Sequence, residues 1–117
     1  MEQEKDNTVA IVERFFKAIH TLIDGGVLRG LQTFTRRYNL NRRNIQRLER
    51  EPYSGIFRAG WLTYLVEDYK ISPLWLLTGR GAVFADGWDA DTVKKVQMTG
   101  NSQTTPRKVV GVQQVTA

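Results

Sequence analysis

LQTFTRRYNLNRRNIQRLER, from Leu31 to Arg50, reads as a short helix, a tight turn and a second helix that follow one another without a spare residue. Phe34, Tyr38, Leu40, Ile45 and Leu48 fall where two helices would pack on each other and on a common core. Thr35 is small at the point of closest approach. Asn39 occupies the turn, where a positive φ is wanted and Gly or Asn tolerates it best. Asn41 then stands at the first boundary of the second helix, a position suited to a side-chain cap.

The same stretch holds the charge. The chain of 117 residues has a formal net charge of +5, and between Arg29 and Arg58 there are eight arginines against two acids, Glu49 and Glu51. That segment is therefore at +6 and the remainder at −1. Every cation in it is Arg. A guanidinium offers a planar fork that grips a phosphate or a guanine edge with two bonds, which a lysine point charge does not. A solvated helix face ordinarily mixes Glu with Lys, so an arginine-only stretch points to nucleic acid.

Upstream, Val12, Phe15, Phe16, Ile19, Leu22 and Ile23 recur at helical spacing between Val9 and Ile23, with Asp6 or Asn7 as a cap and Gly25 and Gly26 as the stop. Downstream, Pro52, Ser54 and Gly55 break the chain. A fourth helix is predicted from about Arg58 to Tyr69, carrying Trp61, Leu62, Leu65, Val66 and Tyr69. Ser72 and Pro73 open a fifth, a hydroxyl cap followed by proline at the first helical position, and it closes at Thr78 and Gly79. No stretch before Gly81 alternates with period two, so the fold class is all-α. After Gly81 a further short helix is possible near Asp91 to Met98, and the valine-rich close, Lys108 to Val115, would serve as a strand if offered an edge. Residues 1–84 form the expected domain, and 85–117 a C-terminal tail, partly disordered or used for interaction.

Length leaves room for one modest core. No apolar run approaches the roughly 20 residues that cross a bilayer. The acidic-leaning opening, Met1 to Asp6, lacks the pattern of a targeting peptide, so the expected location is the cytoplasm, on the nucleoid. Cysteine is absent, which removes disulfides, thiolate metal sites and cysteine nucleophiles. His20 is the single histidine and has no thiol to share a metal, while Asp86, Asp89 and Asp91 lack the glycine and distal Glu of a calcium loop. Trp61 and Trp75 read as core, and Trp88 as the anchor by which the tail folds back or meets a partner. With no nucleophile–base pair, phosphate-cradling loop or carboxylate pair, neither enzyme activity, cofactor, metal nor small-molecule substrate is expected.

The window at 31–50 resembles the helix-turn-helix of phage-repressor-like regulators of the Cro and Xre type, and ISPLWLLTGRG, residues 71–81, is similar to the closing helix of that class. The resemblance covers roughly residues 8–84. It implies a five-helix lambda-repressor-like bundle with a flexible C-terminal tail, a third helix that enters the major groove of double-stranded DNA, and a homodimer bound to paired half-sites. It departs where many relatives begin the second helix with Gln: here that position is Leu31, and Gln32 follows. Carried across residue by residue, base reading falls on Asn41, Arg42, Arg43, Asn44, Gln46 and Arg47. Arginine suits guanine, and glutamine suits adenine. Phosphate contacts fall on Arg29, Gln32, Thr33, Arg36, Arg37 and Arg50. Glu49, facing away from the groove, is placed to hold an arginine. The function so implied is that of a sequence-specific transcriptional regulator, a repressor by resemblance alone. Two rivals stand beside it. One is a protein-interaction module of antitoxin or anti-repressor type, whose tail from Trp88 onward wraps a partner. The other is an RNA binder, disfavoured by the tight turn and by the lack of aromatics flanking the arginines.

Overall fold

A computed structural model of the protein describes residues 7–99, and among them the chain forms six helices and no strand. They are α1 (Asn7–Asp24), α2 (Leu31–Arg37), α3 (Arg42–Arg50), α4 (Trp61–Tyr69), α5 (Pro73–Thr78) and α6 (Ala90–Thr99). The described part of the molecule is all-α, as the periodicity requires.

α1 is the spine. Its residues at three- and four-residue spacing, Val12, Phe15, Phe16, Ile19 and Leu22, are buried together with Ala18, and α1 touches α2, α3 and α5. Phe15 gathers the aromatic side chains: its ring centroid lies 5.0 Å from Phe16, 5.9 Å from Phe34, 5.5 Å from Phe57 and 6.1 Å from Trp61. Full burial of each such side chain stabilises the fold by about 1.5–3 kcal/mol. Gly26, at φ 81, turns the chain out of α1, as the glycine pair suggested.

α4 begins three residues later than the expected Arg58. Arg58, Ala59 and Gly60 instead form a tight approach in which the amides of Trp61, Leu62 and Thr63 each bond three residues back, and Trp61 is the first residue of the regular helix. α4 ends at Lys70 in the left-handed conformation, φ 60. α5 opens as its sequence requires, with Ser72 Oγ accepting from the Trp75 amide at 3.2 Å and Pro73 in the first turn, and Gly79 at φ 80 closes it. Arg14, reaching from α1, donates to the carbonyls of Leu76 and Leu77 at 2.8 and 3.0 Å, so the free carbonyls at the end of α5 are satisfied from a different element.

The short helix read as possible near Asp91 to Met98 is α6, a sixth helix beside the five of the expected bundle, and it packs on them. After α5 the chain doubles back beside the α4–α5 connection, with the Ser72 amide bonded to the Val83 carbonyl and the Ala85 amide to the Lys70 carbonyl, both at 2.8 Å. Trp88 packs against the core and takes Lys70 Nζ 5.3 Å from its ring centroid. Asp89 and Thr92 then cap α6 reciprocally: the Thr92 amide donates to Asp89 Oδ1 and the Asp89 amide to Thr92 Oγ1, both at 2.9 Å. Val93 is 1% exposed, so the core extends beyond residue 84. The valine-rich close at 108–115 lies outside the described residues.

Candidate nucleic-acid interface

The candidate interface is a helix with two unlike faces. Within α3 only Ile45 and Leu48 are buried, and every other residue of the helix is exposed. At 3.6 residues per turn, Arg43, Gln46, Arg47 and Arg50 point away from Ile45 and Leu48, while Arg42, Asn44 and Glu49 lie on the flanks. Arg43, Gln46 or Arg47, and Arg50 therefore make a polar ridge along the whole helix. Three of the four are guanidinium groups.

Local chemistry sets where this ridge begins and how it is aimed. Asn39 sits at φ 56, the left-handed conformation that the turn needs, and the Leu40 amide returns to the Thr35 carbonyl at 2.8 Å. Thr35 is 3% exposed, and its hydroxyl donates to the Gln32 carbonyl at 3.1 Å, so the tight helix approach buries no unpaired oxygen there. Two residues beyond Asn39, Asn41 adopts an extended conformation and its Oδ1 accepts from the Asn44 amide at 3.0 Å. Asn41 and Asn44 are thus partly engaged in starting the helix. Their remaining amide edges are exposed.

Of the other expected DNA contacts, Arg29, Gln32, Arg36 and Arg37 are exposed and Thr33 is half-buried. The Gln32 amide lies back over Gly30, where an added Cβ would meet its Oε1 at 2.9 Å. Arg47 is paired with Glu51 one turn on, Nε to Oε1 at 3.3 Å, with both side chains well exposed. Such a pair contributes a few tenths of a kcal/mol and opens readily for a phosphate or a base. Glu49 does not hold an arginine as expected. Its Oε2 lies 2.6 Å from Nε2 of His20, which ties the back of α3 to α1.

Arg37 departs most from its sequence reading. Nη1 donates to Tyr69 Oη at 3.0 Å and to Gln97 Oε1 at 2.9 Å, and the guanidinium carbon lies 5.5 and 5.4 Å from the ring centroids of Tyr38 and Tyr69. Tyr38 in turn stacks on Tyr64, with centroids 4.0 Å apart and planes 6° from parallel, and its hydroxyl donates to Asp68 Oδ2. Burial, the neighbouring Tyr69 and the hydrogen bond to Asp68 push the Tyr38 phenol far above its ordinary range. Burial raises Tyr69 as well, against the opposing pull of Arg37. For Arg37, burial acts to lower the pKa, but Tyr69, Tyr38 and Asp68 together raise it, so the guanidinium is held charged among the rings.

Among the described residues no group of three or more His, Asp or Glu side chains is placed to hold a metal ion. No helix among them is long and apolar enough to cross a membrane. The residues that sequence reasoning missed are Arg14, Gln97 and Asp68, each of which acts on an element far away in the chain. Comparison with protein-family models, with curated proteins and with solved structures finds no match.

Proposed function

We propose that the protein is a sequence-specific double-stranded DNA-binding regulator that reads the major groove with α3. The observation that carries this is the division of α3 itself: two buried apolar residues hold it down, and the outward ridge of Arg43, Gln46, Arg47 and Arg50 is exposed along its length. Arginine and glutamine are the side chains that bind guanine and adenine edges with paired hydrogen bonds. Arg29, exposed just before α2, and Arg36, exposed in its last turn, supply backbone contacts. Repression rather than activation follows from the family resemblance alone.

From Arg43 to Arg50 the ridge spans about 10 Å at the rise of an α-helix. With base pairs about 3.4 Å apart, one copy spans roughly three to four of them. So short a word recurs throughout any genome. Two copies on paired half-sites are therefore part of the proposal. An apolar groove between α4 and α5, lined by Ala59, Leu62, Val66, Pro73, Leu76 and Leu77, supports pairing, with Leu77 52% exposed at its edge. The same groove favours the second reading, an interaction module whose partner is another protein.

Selection of bound duplexes from a random DNA pool with the full chain, followed by sequencing, tests the proposal. A palindrome with two half-sites is the expected result. Salt-sensitive binding to every duplex with no enriched sequence would move the assignment to the interaction module.

A further inference from the structure

Gln97 joins three elements with one amide. Its Oε1 accepts from Arg37 Nη1 at 2.9 Å and its Nε2 donates to the main-chain carbonyl of Asp68 at 2.8 Å, so the last turn of α2, the end of α4 and the body of α6 meet at a single side chain. Tyr38, immediately after α2, is fixed to α4 through Asp68 and Tyr64. The next residue is Asn39, whose left-handed conformation sends the chain into α3. Whatever holds Arg37 and Tyr38 therefore sets the direction in which α3 leaves the turn.

The chemistry suits holding rather than reading. Arg37 is exposed, yet its Nη1 is directed at a phenol and an amide within the protein and the guanidinium lies beside two rings, so part of its donor fork is already engaged before any phosphate arrives. A guanidinium hydrogen-bonds through its planar donor fork while its delocalised charge lies near aromatic rings, a combination that a lysine ammonium does not reproduce. We propose that Arg37 is a positioning residue rather than a DNA ligand, and that α6, through Gln97, belongs to the DNA-reading unit by fixing the angle between α2 and α3. The proposal rests on the DNA-binding reading given above. Its consequence is that displacing α6 loosens the reading helix without touching the DNA-facing surface.

The test uses the full chain with Gln97→Ala, Arg37→Ala and Arg37→Lys, and has two arms. The first is amide hydrogen exchange without DNA, in which Gln97→Ala is expected to speed exchange across residues 31–40. Unchanged exchange there overturns the role of α6. The second is binding to the selected duplex and to an unrelated one across a salt series. All three variants are expected to lower the preference for the selected duplex by roughly tenfold, the loss of a hydrogen bond to a charged group. Their salt slopes should equal that of the unsubstituted protein. A slope shallower by about 0.9 in Arg37→Ala, with preference and slope restored in Arg37→Lys, would instead make Arg37 a phosphate ligand and overturn the proposal. An unsubstituted protein with no preferred duplex overturns the DNA-reading role itself, while the exchange arm still upholds or overturns the clamp. Gln97→Ala keeps every charge and every buried apolar group, so it tests the clamp even if Arg37→Ala does not fold.

Discussion

Asn39 and Asn41, two positions apart, do opposite things with the same side-chain type. Asn39 tolerates a left-handed backbone, and the Asn41 side-chain oxygen accepts from the Asn44 amide in the first turn of α3. Asn39→Gly should leave stability nearly unchanged, whereas Asn39→Val should cost on the order of 1–3 kcal/mol, because a β-branched residue is strained at positive φ. Asn41→Ala should cost about 1 kcal/mol through loss of the cap. Denaturant unfolding of the three variants checks both statements. For DNA binding, Arg43→Ala should cost about 1–3 kcal/mol on the preferred duplex and relax one base position, while Arg36→Ala should weaken all duplexes alike and make the salt slope shallower by about 0.9. If both variants lose equally on every duplex, the division between reading and positioning contacts is wrong. Both asparagines could be read from the sequence because each acts within its own turn of chain. Arg37 could not. Nothing near it in sequence announces Gln97, sixty residues on, so it reads there as one more cation of an arginine-rich stretch.

α6 shows where pattern reading loses its grip: a helix near Asp91 to Met98 could be read, but not its docking on the core. α1 and α5 announce themselves by apolar spacing and by the Ser72 and Pro73 opening. α6 buries Val93 and otherwise docks by polar and close-packed contacts that have no periodic signature. One of those contacts is steric: a Cβ built on Gly25 would lie 2.5 Å from the Cβ of Ala90. Gly25→Ala should therefore push α6 off the end of α1 and destabilise by roughly 1–3 kcal/mol, and adding Ala90→Gly should return most of the loss. A double-mutant cycle in denaturant measures the coupling, and additive losses would contradict the contact. The α6 cap has its own pH dependence. Hydrogen bonds from the Thr92 amide and hydroxyl hold the Asp89 carboxyl below its ordinary range. Because the folded pKa is depressed, the contribution is present above the unfolded pKa and is lost as pH falls through the folded value. α6 should accordingly fray below about pH 4, and Trp88 fluorescence would follow it. Asp89→Asn, which still caps, should fray less with acid.

The molecule as a whole is polarised, with +6 between Arg29 and Arg58 and −1 elsewhere. On the proposed function, its affinity for DNA should fall steeply between 50 and 200 mM salt. The buried phenols set a limit at the other end of the pH scale. With Tyr38 and Tyr69 both raised, the folded state keeps protons that the unfolded chain gives up above about pH 10. Stability is therefore intact below that pH and falls as pH climbs past it. In a variant with Tyr53 and Tyr64 replaced by Phe, phenolate absorbance should rise only together with loss of helix, and phenolate formation while that variant is still helical would contradict the raised pKa of Tyr38 and Tyr69. One consequence of the two-faced α3 concerns heredity rather than mechanics. Ile45 and Leu48 anchor the helix, so Arg42, Arg43, Asn44, Gln46, Arg47 and Arg50 are under almost no obligation to the fold, and exchanges there shift stability by only about half a kcal/mol. On the proposed DNA-reading role, descendants of this chain would be free to rewrite which sequence they address while inheriting the same scaffold, and an engineer could retarget it by replacing exposed side chains on this one helix.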